Sequence, residues 1–227
     1  VEADTDAESF LGDDVSTAST SLRSSILDYE WRHGRRYHRF NAGQYNFPND
    51  EQEQDHLDMV HHGFYRLFND RVFVASIGLD GKRVLDIGTG TGIWAIQLGD
   101  EYPVAELSIG NDLSPIQPTW TPPNVKFVVD DVEQDWVEPQ PYDFIHIRYM
   151  AGCIQDWPRL MKQIFDNLKP GGWVEFQDSI NKIYSEDGTL KPDNLLVIMM
   201  DGLMKACDKF GRTMNPAPSA KKLVEEA

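Results

Sequence analysis

The residues most capable of chemistry lie between Val84 and Trp94: Val-Leu-Asp-Ile-Gly-Thr-Gly-Thr-Gly-Ile-Trp. A short apolar run (Val84, Leu85, Ile87) is broken by Asp86 and leads into glycines at 88, 90 and 92. The apolar set Ile93, Trp94, Ala95, Ile96 and Leu98 follows at once. That order predicts a strand, a tight turn and a helix. Glycine supplies the positive φ of such a turn and lets a ligand approach the backbone with no Cβ in the way. The spacing sets this loop apart from two phosphate binders. A dinucleotide loop, G-x-G-x-x-G, needs a third small residue where Ile93 stands, and a Walker loop needs a Gly-Lys-Ser or Gly-Lys-Thr that does not follow. What stands here is G-x-G-x-G with an acid two residues before the first glycine.

This pattern resembles motif I of the class I S-adenosylmethionine-dependent methyltransferases. The resemblance implies a loop that passes under the methionine and ribose of the cofactor and captures no pyrophosphate. It sets Asp86, Gly88, Thr89, Gly90 and Gly92 around the methionine end. Four further stations follow in order. Residues 104–112 read as a second strand ending in Asp112, where a carboxylate can accept two hydrogen bonds from the ribose hydroxyls; Leu113 would cover one adenine face. Residues 125–131 read as a third strand. The resemblance implies that Asp131 holds the adenine amino group and that the backbone amide of Val132 meets a ring nitrogen. Residues 142–148 read as a fourth strand, and residues 168–176 as a helix end, a Pro-Gly-Gly turn and a fifth. Arg148 and Tyr149 follow the fourth strand, where this superfamily places its acceptor. They are the candidate catalytic pair, with Arg148 also a candidate cofactor contact. The expected fold is α/β, a Rossmann-like sheet with helices on both faces.

A chain of 227 residues is long enough for one such domain with a sizeable core and an appendage. The formal net charge of −16 opposes direct binding to nucleic-acid phosphates, which needs clustered cations, but leaves a basic protein partner open. The dense basic cluster (Arg32, His33, Arg35, Arg36, His38, Arg39) reads as a solvated helix face. Cys153 and Cys207 follow no pairing motif and read as reduced thiols. No apolar run approaches the length of a membrane span. The opening Val-Glu-Ala-Asp lacks the basic region and apolar core of a secretory signal, so the expected location is intracellular, in nucleus or cytoplasm. A first residue other than Met implies that the sequence begins inside a longer protein.

Three regions are expected. Residues 1–24 form an acidic arm, disordered or weakly helical. Residues 25–71 form an N-terminal helical lid: a helix over 25–40, a loop over 41–49, and a second helix entered through an Asp50–Glu53 capping box. Its apolar face is Leu57, Val60, Phe64 and Phe68, and it runs to about residue 70. In the lid, Tyr37, Tyr45 and Pro48 are expected over the mouth of the site. Tyr37 is expected to pack on the sheet more than to touch substrate, and Tyr45 to be balanced between the two. Residues 72–227 form the methyltransferase domain, with helices over 158–168 and 195–210 and a last one opening at Lys221. A complete class I sheet has seven strands, so five imply that the last two are missing and that one edge lacks cover. His56, His61 and His62 have no firm ligand spacing, and no metal is expected. His61 falls nearer the core and His62 nearer solvent. His146, between Ile145 and Ile147, reads as a core histidine.

A closer resemblance rests on Gly34-Arg-Arg-Tyr-His-Arg-Phe, Tyr45-Asn-Phe-Pro-Asn-Asp-Glu, His61-His62, the glycine loop, and Asp112-Leu-Ser-Pro-Ile-Gln-Pro. Together these resemble the fungal LaeA-like methyltransferases, a group that includes regulators of secondary metabolism associated with velvet proteins. The resemblance spans Tyr29 to the C-terminus. It implies S-adenosylmethionine as cofactor, and a velvet-type regulatory protein or a small-molecule acceptor as partner, with no direct nucleic acid and no membrane. Asn111 departs from the apolar or small residue expected there and is expected to tilt Asp112. Methyl transfer from a sulfonium is an in-line displacement, so the protein must mainly align the acceptor and exclude water. A base is needed only where the acceptor holds a proton tightly. Three kinds of site follow from three functions. A small metabolite calls for a closed, partly apolar pocket lined by Arg148 and Tyr149. A regulator calls for exposed patches on the N-terminal helices and little turnover. Basic protein tails call for an open acidic groove. The resemblance tilts the reading toward the regulatory branch, with O-methylation of a small metabolite close behind.

Overall fold

The near-continuous apolar runs at 84–87 and 142–147 suit strands buried on both faces, which is what a parallel sheet between helical layers provides. A computed structural model of the protein describes residues 29–41, 43, 45–137 and 140–227. The arm expected over 1–24 lies outside the described residues. Five parallel strands form the main sheet: β3 (Arg83–Ile87), β4 (Leu107–Asp112), β5 (Val125–Val129), β6 (Tyr142–Arg148) and β7 (Leu168–Gln177). Their order is β5-β4-β3-β6-β7. The chain winds outward from β3 to one edge, then returns to build the other half beside it. The direction therefore switches between β3 and β6, where the carboxyl ends of parallel strands open a crevice for ligands.

The helices are α1 (Glu51–Leu67), α2 (Ile93–Glu101), α3 (Trp157–Asp166), α4 (Leu195–Lys209) and α5 (Ala217–Glu226). Alternation along β3 and β6 divides the core in two. Leu85, Ile87, Ile145 and Ile147 pack with Leu160, Met161 and Ile164 of α3, and Leu223 of α5 closes that side. Val84 and Phe144 pack with Trp94, Ala95 and Leu98 of α2 and with Phe73. α3 starts where the Asp156 side chain caps the amide of Arg159 at 3.0 Å, with Pro158 in the first turn.

The strands were legible, but several boundaries moved. β4 starts three residues later than residue 104, β5 ends at Val129 so that Asp131 lies in the turn beyond it, and α5 opens at Ala217 rather than Lys221. The Pro-Gly-Gly segment does not interrupt β7; it is absorbed as a register shift opposite Tyr142 and Phe144.

The helix expected over 25–40 is not a helix in its described part. Glu30–Arg32 (β1) and Arg35–Tyr37 (β2) form an antiparallel hairpin, turning at His33 (φ 50°) and Gly34 (φ 78°). Two successive left-handed residues make the turn whose twist matches a two-residue hairpin. The basic cluster is correspondingly not a solvated helix face. Arg35 reaches Asp50 at 2.9 Å, Arg36 reaches Glu51 at 2.8 Å, and His38 is buried. These contacts fasten the hairpin to the start of α1, where Asp50 accepts from the Glu53 amide at 3.1 Å, as the capping signal implied. Among the described residues, no helix is long and apolar enough to cross a membrane.

The connection from α1 into β3 is tied to β7. Buried Glu175 accepts from the amides of Val74 at 2.9 Å and Ala75 at 2.6 Å. Replacing it by Ala leaves two part-buried amides without their acceptor, so Glu175→Ala is expected to cost about 1–3 kcal/mol of unfolding free energy in urea. Glu175→Gln, which keeps one acceptor, is expected to cost less.

Candidate functional site

The glycine loop leaves β3 and enters α2, and its neighbour β4 fixes its path. The amide of Thr89 donates to the Asn111 carbonyl at 2.9 Å, and the amide of Gly88 to Asn111 Oδ1 at 3.3 Å. Asn111 therefore ties the loop down rather than merely tilting its neighbour. Asp112 Oδ2 accepts from the amide of Gly90 at 2.9 Å, and Oδ1 from that of Ser114 at 2.9 Å. Gly88 and Gly92 have positive φ, and a Cβ would run into Met150 at Gly88 and into Phe127 at Gly92. At Gly92 the Phe127 ring crowds out a side chain, whereas at Gly88 the flexible end of Met150 can move aside and the positive φ is what favours glycine.

Asp86, at the end of β3, accepts from the Thr89 hydroxyl at 2.6 Å and from His146 Nδ1 at 2.7 Å. The His146 ring is stacked on Trp94, centroids 3.8 Å apart and planes 3° from parallel. His146 is thus a core histidine, as its strand context implied.

These groups open onto a cavity of about 220 Å³ at the β3–β6 switch. Of the residues singled out from the sequence, Asp86, Gly88, Thr89 and Gly90 line it on the β3 side. Asp112, Leu113, Asp131 and Val132 line it beyond β4 and β5. Arg148 and Tyr149 line it at the end of β6, and Tyr45 in the N-terminal segment. Two do not reach it. Gly92 sits behind the wall as the entry to α2, against Phe127. Tyr37 lies in the hairpin, with the Arg32 guanidinium 5.7 Å from its ring centre.

Two segments cover part of the cavity. The N-terminal one brings Tyr45, Phe47 and Pro48 to the wall, pinned by Asn49 Nδ2 on Ser114 Oγ at 3.1 Å and by Asn41 Nδ2 on Asp131 Oδ2 at 2.9 Å. The C-terminal one brings Met214. The backbone amide of Gly152 donates to the Thr213 carbonyl at 2.8 Å, Asn181 Nδ2 to the Met214 carbonyl, and Arg212 reaches Glu133 at 3.0 Å. Asn49 and Ser114 lie in stretches that carried the sequence resemblance. Glu133, Asn181 and Met214 lie in no motif, and nothing in their spacing signals the site.

Burial sets the electrostatics. It pushes the Asp112 carboxyl up to about 6 against its amide donors, raises the Tyr149 phenol, and raises that of Tyr45 further. Tyr149 holds φ 57°, a left-handed backbone that costs a non-glycine residue about 1–2 kcal/mol and turns the chain sharply out of β6. Among the described residues, no cluster of three or more histidine, cysteine or acidic side chains is arranged to hold a metal ion.

A family model described as a methyltransferase domain matches residues 59–199. The chain is also 60% identical over 227 residues to methyltransferase pytC of Aspergillus terreus, covering all of this chain and 69% of that one. It belongs to the S-adenosylmethionine-dependent methyltransferases. It is 39% identical over 200 residues to the secondary metabolism regulator LAE1 of Cochliobolus heterostrophus, covering 86% of this chain and 65% of that one. With the protein-methionine methyltransferase laeA of Emericella nidulans the identity is 42% over 157 residues, 68% of this chain and 42% of that one. The solved structure of the plantazolicin methyltransferase BpumL in complex with SAH has the same fold, with TM-score 0.51 and 17% identity over 73% of this methyltransferase and 72% of that one.

The residues present suit this cofactor. Asp112 spends only part of its acceptor capacity on Gly90 and Ser114, and it lines the cavity. At Gly90, with φ 57°, the nearest atom to an added Cβ is Leu57 Cδ1 at 3.4 Å. Asn111→Ala removes the acceptor for Gly88. It is expected to cost about 1 kcal/mol in urea unfolding and to weaken S-adenosylhomocysteine binding in calorimetry, because the loop loses one of its three ties to β4.

Proposed function

We propose that this methyltransferase transfers the methyl group of S-adenosylmethionine to a small, largely apolar metabolite within fungal secondary metabolism. The observation that carries the reading is the cavity beneath two covers, with Arg148 and Tyr149 in its wall. A small acceptor needs such a chamber, whereas basic protein tails need an open acidic groove. The high identity to pytC along the whole chain supports the same branch.

In this reading Asp112 accepts from the ribose hydroxyls and Leu113 lies against one adenine face. Asp131 and the Val132 amide take the adenine edge, and the Asn41 amide yields its place on Asp131 to the adenine amino group. Asp86, Gly88, Thr89 and Gly90 hold the methionine end, and Gly92 serves only the helix entry. When bound, the cofactor supplies a methyl group already activated as a sulfonium. The protein aligns the acceptor and excludes water under the two covers. The Tyr149 phenol, which partial burial raises further above its ordinary value, orients an acceptor oxygen through a hydrogen bond.

A second reading has its own observation: the thioethers of Met150 and Met214 line the same cavity. A thioether has no proton to lose, so its methylation to a sulfonium needs no base, and one relative is named for protein-methionine methylation.

Cofactor carrying a heavy methyl group separates these readings when incubated with the protein and fungal extract. Label in extracted small molecules is expected. Label on peptides containing Met150 or Met214 would favour the second reading. Cofactor binding with no transfer at all would return the protein to a regulatory role with a velvet-type partner. Two binding measurements test the cofactor assignments. Asp112→Ala is expected to weaken S-adenosylhomocysteine binding by about tenfold or more. In the unsubstituted protein, affinity should be flat above pH 7 and fall about tenfold by pH 5, because Asp112 takes up its proton near 6 and the neutral acid is the poorer acceptor.

A further inference from the structure

Arg148 is the cation of the cavity wall, and its surroundings are unusual for a guanidinium. One Nη donates to His61 Nδ1 at 2.7 Å, and the Phe64 ring lies 5.5 Å from the guanidinium carbon. Among the described residues, no other protein acceptor lies within hydrogen-bond reach of the guanidinium and no carboxylate lies within ion-pair distance. Asp86 and Glu175 act on it only as more distant charges. Arg148 is part-buried, and a part-buried cation with no counterion and unused donors at a cavity wall is open to a ligand of opposite charge.

The neighbours of Arg148 hold it in one orientation. His61 is buried, and its Nδ1 must be the acceptor because an arginine can only donate. Its proton is therefore on Nε2, which meets Gln97 Oε1 at 2.8 Å. The Gln97 amide is oriented in turn by its Nε2 on Glu101 Oε1 at 2.7 Å. This relay runs from α2 through α1 to the end of β6. It leaves a planar fork of N–H donors beside the cavity, the shape that pairs bidentately with a carboxylate.

We propose that Arg148, oriented by His61 and Gln97, is a carboxylate-binding site in the cavity wall. The inference rests on the cofactor reading above. The carboxylate comes either from the methionyl end of the cofactor or from the acceptor itself. His61 and Gln97 are positioning residues, and a Lys at 148 would not reproduce the planar fork.

Three probes test this by calorimetry: S-adenosylhomocysteine; 5′-methylthioadenosine, which has the same nucleoside and thioether but no amino-acid end; and salicylate added to protein saturated with S-adenosylhomocysteine. In Arg148→Met, methylthioadenosine binding is expected to stay within about twofold of the unsubstituted protein, which reports an intact fold and nucleoside site. A loss of about 10- to 100-fold confined to S-adenosylhomocysteine assigns the carboxylate to the cofactor. Loss of salicylate binding with S-adenosylhomocysteine unchanged assigns it to the acceptor. Arg148→Met leaving both probes within about twofold overturns the proposal. Failure of the unsubstituted protein to bind either nucleoside would instead overturn the cofactor reading. His61→Leu should move the same probe in the same direction by less, and His61→Asn, whose side-chain oxygen takes the place of Nδ1 and can accept from Arg148, should restore it. No effect of His61→Leu beside a large effect of Arg148→Met would remove the positioning role.

Discussion

The carboxylate of Asp86 sits at the carboxyl end of the central strand, 4% exposed, with one oxygen on the Thr89 hydroxyl and the other on His146 Nδ1. An anion at that depth is tolerated only when its oxygens are hydrogen-bonded. The pairing requires the His146 proton on Nδ1, which fixes the imidazole and gives Trp94 a flat surface to stack on. The Trp94 indole N–H then reaches the Val72 carbonyl at 2.7 Å. One carboxylate thus keeps β3, the glycine loop, β6, α2 and the segment entering the domain in register. The cavity exists because these five parts meet there.

Every ionisable group that shifts around that cavity moves toward its neutral form. The Asp112 carboxyl and the Tyr45, Tyr149 and Cys153 groups go up, while His61 and Arg148 go down. Burial is the largest cause in each case. A chamber of low polarizability makes each remaining charge and dipole count for more than it would in water. That is the setting in which a few fixed donors and acceptors can orient a charged cofactor.

The sheet was readable because local and tertiary demands agree there. The run at 142–148 is buried on both faces and is a strand between the same two residues, and the glycines, Asp112 and Arg148 sit where strand ends place them. The hairpin was not readable because Glu30-Trp-Arg-His-Gly-Arg-Arg-Tyr carries both helical spacing and a turn. Pairing of its arginines with Asp50 and Glu51 decides the outcome, and those acids lie across an intervening loop. Met214 and Asn181 were invisible for a related reason. They come to the site through long-range contacts, the Thr213 carbonyl on Gly152 and Asn181 Nδ2 on the Met214 carbonyl, that leave no periodicity behind. Gly92 shows the opposite limit: a motif position can be demanded by the scaffold, here by Phe127, and still lie off the cavity wall.

The two covers are fastened to the loops that form the wall itself, Asn49 to Ser114 beside Asp112 and Arg212 to Glu133 beside Asp131. Lifting either cover therefore loosens the wall as well as the roof. The segments beside the cavity and the loops of its wall form one hydrogen-bonded unit rather than independent parts. A substitution in either segment thus reaches the wall through these shared bonds, even at a position that does not touch the cavity itself.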